Sequence, residues 1–155
     1  MRLVVQRVSR ASVEVGGRIV GEIERGLLVF VGAEVGDRAA QAEEAARKVG
    51  SLRIFGDEAG KMNLALREAG GGVLAVPQFT LLADLSHGRR PGFGNALPGD
   101  LARPLYEHFC AALELSGFTV ARGVFGASMQ VSLVNDGPAT FVIDLPAKGE
   151  RGSEH

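Results

Sequence analysis

Two short segments carry the residue types that could do chemistry. Gln78-Phe79-Thr80-Leu81 follows the apolar run at residues 73–76. Where a buried strand ends, the next backbone N–H groups lose their ladder partners. Those of Phe79 and Thr80 could then donate to the oxyanion that forms at an ester carbonyl. Thr80 also offers a hydroxyl, but no general base is visible near it, and a threonine hydroxyl without one is a weak nucleophile. Thr80 is therefore assigned to positioning, through its hydroxyl and its backbone. The plain alternative is a strand end, with Thr80 capping a turn and Phe79 in the core. The second segment is Asn135-Asp136-Gly137-Pro138-Ala139-Thr140, between two alternating apolar runs. Its Gly137-Pro138 bond could be cis, as about 5–6% of X-Pro bonds in folded proteins are. Glycine lets backbone approach a ligand closely. The plain alternative is an ordinary hairpin turn.

Other chemistries lack their patterns. His87, His108 and His155 share no metal-ligand spacing. Cys110 stands two residues from His108 in a helical pattern, and i and i+2 point to different faces of a helix. No metal site and no cofactor are expected. No serine sits in a Gly-x-Ser-x-Gly elbow. No phosphate loop of the Gly-x-x-x-x-Gly-Lys type is present, and Gly70–72 does not open a helix.

The elements that must position the two segments can be read from periodicity. Residues 2–8 alternate, with Leu3, Val5 and Arg7 facing one way, and residues 12–15 stay extended. Gly16-Gly17 supplies the positive φ of a tight hairpin turn to residues 18–23. Gly26 introduces an apolar strand at 27–31. A helix follows, with Asp37 as N-cap and Ala42, Ala45, Ala46, Val49 and Leu52 on one stripe. The turn at Gly70–72 precedes the short buried strand at 73–76. Residues 83–98 lack periodicity and read as a long loop of the kind that carries function. A second helix holds Leu105, Phe109, Ala112 and Leu113 on one face, with Pro104 in its first turn and Gly117 ending it. Strands at 129–134 and 141–145 flank the turn at 135–140. The expectation is one α+β domain over residues 1–146: a curled, barrel-like, mainly antiparallel sheet with two helices. Residues 147–155 read as a disordered polar tail.

Composition narrows the setting. The chain has 155 residues, 46% hydrophobic and 23% charged, with a net charge of −1, so it is no general polyanion binder. Local basic patches are possible at Arg7 and Arg10 and at Arg89-Arg90 beside His87, although scattered solvated arginines are the ordinary reading. No apolar run approaches the roughly 20 residues needed to span a bilayer. Arg2, Gln6, Arg7 and Arg10 rule the N-terminus out as a signal peptide. A single cysteine, read as a buried inert thiol, suits the reducing cytoplasm.

The two segments, in this order, resemble the signature motifs of the D-aminoacyl-tRNA deacylases. Further similarity lies in the opening residues 1–13, in Leu52-Arg53-Ile54-Phe55, Gly60-Lys61-Met62-Asn63, Gly88-Arg89-Arg90-Pro91 and Gly123-Val124-Phe125-Gly126-Ala127. It spans roughly residues 1–145. The resemblance implies that family's fold and a homodimer with active sites at its interface. It implies hydrolysis of the ester between a D-amino acid and the 3′ end of tRNA, a chiral proofreading step, and by extension of glycyl-tRNA mischarged on tRNA(Ala). Gln78, Phe79 and Thr80 would be the catalytic segment. Gly137 and Pro138 would bind substrate and select chirality: a cis Gly-Pro enters the partner's pocket, holds the substrate amino group through its carbonyls and leaves no room for an L side chain. Arg7 and Met129 are grouped with them in substrate binding. One departure is Pro77, where the family commonly has serine; it removes a hydroxyl and an N–H. A Pro-Gln start also resembles the animal-type relatives that accept some L-alanyl-tRNA, whereas Phe79-Thr80-Leu81 and Asn135-Asp136-Gly137-Pro138 follow the D-specific pattern. A non-catalytic tRNA-end or aminoacyl-binding module on the same fold is the alternative.

Overall fold

A computed structural model describes residues 1–147. The expected tail falls almost wholly outside them. Three strands open the chain: β1 (Arg2–Val15), β2 (Arg18–Ile23) and β3 (Gly26–Gly32). β1 and β2 form the expected hairpin, with Gly16 and Gly17 at φ +57° and +81°. Then come α1 (Ala39–Ser51), the small ribbon of β4 (Phe55–Gly56) and β5 (Met62–Leu64), and α2 (Leu66–Ala69). β6 (Gly72–Pro77) runs into a single 3₁₀ turn (Phe79–Leu82). The chain closes with α3 (Gly99–Leu115), β7 (Val120–Arg122) and β8 (Gln130–Asp144).

The main sheet runs β2-β1-β3-β6-β7, with β8 on the other edge of β1. Pairings that involve β1 are antiparallel; β3–β6 and β6–β7 are parallel. The sheet curls until β2 meets β7, where a Cβ on Gly21 would lie 2.7 Å from the Arg122 carbonyl oxygen. This is the expected barrel-like α+β sheet with two long helices, plus the one-turn α2.

The strands bury both faces, as central parallel strands must. Leu3, Val5, Leu27, Val29, Val31, Val73 and Ala75 pack against Ala42, Ala45, Ala46 and Val49 of α1 and Phe109 and Leu113 of α3. The opposite parity, Val8, Leu28, Leu74 and Val76 with Ala11 and Val13, fills the curl of the sheet. Each such fully buried aliphatic side chain stabilises the fold by roughly 1.5–3 kcal/mol.

Three local expectations are corrected. Arg38, not Asp37, caps α1. The Asp37 carboxylate instead accepts from the Met1 amino group at 3.0 Å and from the Glu34 N–H at 2.7 Å. A capping residue and a residue that pairs over distance share the same chemistry, so local sequence cannot separate them. α3 starts at Gly99, so Pro104 lies inside the helix rather than in its first turn. It is exposed, and the carbonyl it leaves without an N–H partner can be hydrated. The third correction concerns residues 135–140. They do not form a hairpin turn. Residues before and after them both pair with β1 in one antiparallel direction, with Val8 opposite Asn135 and Gln6 opposite Thr140. Residues 136–139 are thus an excursion that bulges out of one continuous strand opposite the single residue Arg7.

Candidate active site

β3 and β6 end side by side, and a cavity of about 640 Å³ opens at their carboxyl ends. This is where open parallel sheets offer space for ligands. Gln78, Phe79 and Met129 line it together with Pro77, Phe93, Tyr106 and Phe125.

The turn that carries Gln78, Phe79 and Thr80 is fixed from several sides. The Gln78 N–H donates to the Val31 carbonyl at 2.8 Å, the last link between β6 and β3. Arg2 Nη1 donates to the Leu81 carbonyl at 3.1 Å, while Arg2 Nε donates to Asp144 at 2.7 Å. That charged hydrogen bond holds the guanidinium pKa above its ordinary value. Gly32 lies under the turn: a Cβ there would meet the Leu82 side chain at 2.5 Å and the Gln78 carbonyl oxygen at 2.9 Å. Inside the turn the Leu81 N–H bonds to the Gln78 carbonyl at 3.3 Å and Ala83 to Thr80 at 3.1 Å. The N–H groups of Phe79 and Thr80 come before the first of these bonds and take no described partner, as at any helix start. The Thr80 hydroxyl accepts from the Gln78 side-chain amide.

Phe79 is 58% exposed and meets Phe93 edge-on at 5.1 Å between ring centroids. The core reading of Phe79 therefore fails. On the far wall Tyr106 donates to the Ala75 carbonyl at 2.8 Å, and burial pushes its phenol pKa up. Met129 approaches Gly123, where a Cβ would lie 2.9 Å from its sulfur. Of the residues lining the cavity, none is Asp, Glu, His, Lys or Cys. Among the described residues no group of three or more His, Cys, Asp or Glu could hold a metal ion.

Gly137 and Pro138 lie elsewhere. Neither lines the cavity, both are exposed, and the peptide between them is cis. Their excursion is braced from within. Asn135 Nδ2 donates to the Ala139 carbonyl at 2.9 Å and to Gln6 Oε1 at 3.0 Å, and the Ala139 N–H returns to Asn135 Oδ1 at 3.3 Å. Gly137 fits because a Cβ would sit 2.1 Å from Asn135 Oδ1 and 2.2 Å from the Ala139 nitrogen. Arg7 fastens the excursion from outside. Its Nε donates to the Asp136 carbonyl at 2.7 Å and lies 3.5 Å from the Asp136 carboxylate; its Nη1 donates to the Ile54 carbonyl at 2.5 Å.

The structure thus brings Gln78, Phe79, Thr80 and Met129 together, and separately Arg7, Gly137 and Pro138. Sequence reading missed Phe93, Tyr106 and Phe125 as cavity walls. The only signals were the long unpatterned loop at 83–98 and the Gly-rich 123–127. It also missed Arg2, whose role depends on a carbonyl distant in sequence.

Comparison with known proteins identifies the family. A family model described as D-Tyr-tRNA(Tyr) deacylase matches residues 4–144. A D-aminoacyl-tRNA deacylase of Alcanivorax borkumensis is 52% identical over 94% of this chain and 100% of its own length. One from Anaeromyxobacter dehalogenans is 55% identical over 93% of this chain and 97% of its own. A solved structure titled c-Myc DNA Unwinding Element Binding Protein superposes with a TM-score of 0.89 at 38% identity, covering 95% of this chain and all of that one. Another, described as a probable eukaryotic D-amino acid tRNA deacylase, reaches a TM-score of 0.81 at 18% identity over 93% of this chain and 98% of its own, a likeness of fold. The chain belongs to the D-Tyr-tRNA(Tyr) deacylase family.

Proposed function

We propose that this chain hydrolyses the ester joining a D-amino acid to the terminal ribose of tRNA, as a homodimer whose cavities are each completed by the other subunit. The observation that carries the reading is the pairing of two free backbone donors, on Phe79 and Thr80, with a cavity that has no ionisable base in its wall. The ester carbonyl oxygen sits between the two N–H groups. Water adds to the carbonyl carbon, and negative charge collects on the oxygen they face. The turn is already held in place by Val31, Arg2 and Gly32, so the donors need no reorganisation as charge develops. The tetrahedral adduct collapses, the ribose oxygen leaves with a proton, and the free amino acid departs. The vicinal hydroxyl of the substrate ribose relays that proton, since the cavity wall supplies no base. Gln78 orients Thr80 through its side-chain amide.

Chirality is selected by the partner's Gly137-Pro138 excursion. It is exposed, braced by its own hydrogen bonds and not part of the home cavity's lining. Among the described residues β8 is paired only along the edge it shares with β1, which leaves its other edge and the exposed Val134 and Val142 for a second copy. Main-chain carbonyls there hold the substrate amino group and exclude an L side chain. Such a filter does not require a side chain, so glycine mischarged on tRNA(Ala) is a further substrate. Family membership at about half identity supports an enzyme over a non-catalytic tRNA-end binding module. We assign the activity to the cytoplasm, where tRNA is charged; among the described residues no helix is long and apolar enough to cross a membrane.

Release of amino acid from D-tyrosyl-tRNA beside L-tyrosyl-tRNA tests the reading. Turnover of the D form alone is the expected result. Tight binding of both without hydrolysis would select the binding module, and equal hydrolysis of both would remove the chiral filter.

A further inference from the structure

The 3₁₀ turn of the site continues into a hairpin. Asp84 and Gly92 exchange both backbone bonds, at 2.7 and 2.9 Å, so residues 85–91 form a closed tip. The tip carries His87, Arg89 and Arg90, all exposed, and no acid. Among the described residues none of these three has a hydrogen bond or an ion pair. The acid at the base, Asp84, is occupied by the Ser86 N–H and hydroxyl at 2.9 and 2.5 Å, and these bonds hold its carboxyl below the usual range.

Exposed arginines on a loop are common. These are distinguished by where their loop begins and ends. Phe79 stands before the hairpin and Phe93 directly after it, and the two rings meet at 5.1 Å on the cavity wall. Phe93 is three positions after Arg90, so at most about 10 Å of backbone divides the Arg90 Cα from that of a residue on the cavity wall. A chain of net charge −1 has no overall field to draw in a polyanion, so any attraction must be local. Arginine is also the side chain whose planar fork matches phosphate oxygens in pairs.

We propose that Arg89 and Arg90 grip the phosphodiester backbone of the last nucleotides of tRNA as its aminoacylated end enters the cavity. The grip reads charge and not bases. The proposal rests on the deacylase reading above, extending it from the aminoacyl ester to the strand that carries it.

The test compares R89A/R90A with the native protein and with R18A/R47A, which removes the same charge from exposed arginines elsewhere. Two readouts are taken: direct binding of uncharged tRNA over a salt series, and hydrolysis of D-tyrosyl-tRNA beside 3′-O-D-tyrosyl adenosine, which has no phosphate. R89A/R90A should weaken tRNA binding and raise KM for the tRNA ester about tenfold. It should also flatten the slope of log K against log salt by about 1.4, two phosphate contacts at about 0.7 each for a single strand. kcat on tRNA and the rate on the adenosine ester should stay at the native level. R18A/R47A should move neither KM nor slope, and R89K/R90K should restore most of both. Unchanged tRNA binding and salt slope in R89A/R90A would overturn the proposal, whatever the enzyme hydrolyses. If the native protein hydrolyses neither ester, the deacylase reading fails, while the binding series still decides whether the tip holds tRNA. Native binding of a DNA duplex as tight as that of tRNA, and equally weakened by R89A/R90A, would make the tip a general polyanion site and overturn its assignment to the tRNA end.

Discussion

The Gln78–Thr80 turn and the Gly137-Pro138 excursion are both irregular backbone set into strands, yet they are built in opposite ways. The turn is concave in effect. It ends a buried strand, borders a 640 Å³ cavity, and presents N–H donors with no partner. The excursion is convex. It leaves a strand and returns to the same register, exposes Gly137 and Pro138, and uses Asn135 and Arg7 to fill its own hydrogen-bonding needs. A receptive site can rely on core contacts for rigidity. A projecting one cannot, because it has no core, so polar braces must do that work. On the reading proposed above, the turn is a socket and the excursion a plug, and the two do not meet within one chain.

The largest effect is expected from distorting the plug. G137A forces a Cβ against Asn135 Oδ1 and the Ala139 nitrogen, so the excursion must shift. Misplacement by an ångström costs about a hundredfold in rate, and a loss of that size or more is expected in hydrolysis of D-tyrosyl-tRNA. Mixing G137A with a variant damaged at Phe79 should restore activity, since both lesions can fall in one composite site and leave the other intact. A fully active monomer, or no recovery despite proven subunit exchange, would refute the shared site.

Arg7 tests whether the brace is what makes the plug rigid. R7A removes the bonds to Asp136 and Ile54, and activity should fall about ten- to a hundredfold. Stability should drop by about 1.5–3 kcal/mol in a urea titration, the scale for hydrogen bonds to a charged group. R7K should recover little, because a point charge cannot serve both carbonyls. If R7K behaves like the native protein, the guanidinium geometry has no role.

The socket should be more tolerant. Its donors are backbone, and alanine keeps the N–H, so T80A should retain activity within about tenfold. Single-turnover rates would measure this. Capture of a covalent aminoacyl–Thr80 species by mass spectrometry would instead make the hydroxyl the nucleophile.

The smallest effect concerns the helix behind the socket. Burial pushes the Cys110 thiol from 9.0 up to about 11, with the nearby Arg122 charge acting in the opposite direction. The folded protein then keeps its proton where the unfolded chain has lost it. Stability is unaffected below pH 9 and declines as pH rises from 9 toward 11. A thiol reagent at pH 8 should leave the native protein unmodified and label the chain in denaturant. Rapid labelling without denaturant would mean that the wall opens.

Much of this was legible in the residues alone. The 3.6-residue apolar stripe of α1 and the alternation in β1 are local consequences of helix and strand geometry. So is the Gly16-Gly17 hairpin, which needs positive φ at both positions. Residues 78–81 were readable as a strand end with spare donors for the same reason. Tertiary structure decided what depends on a distant partner. Asp37 became the partner of Met1 rather than a helix cap because the start of β1 folds beside it. Residues 135–140 became an excursion rather than a turn because β1 is long enough to pair with β8 on both sides of it. A segment of asparagine, glycine and proline serves either purpose equally well by itself. Arg7 and Arg2 acquired their roles only from carbonyls brought to them by the fold. Propensity acts through neighbours in sequence, whereas a hydrogen bond between residues 7 and 54 or 2 and 81 exists only once the chain has closed around it.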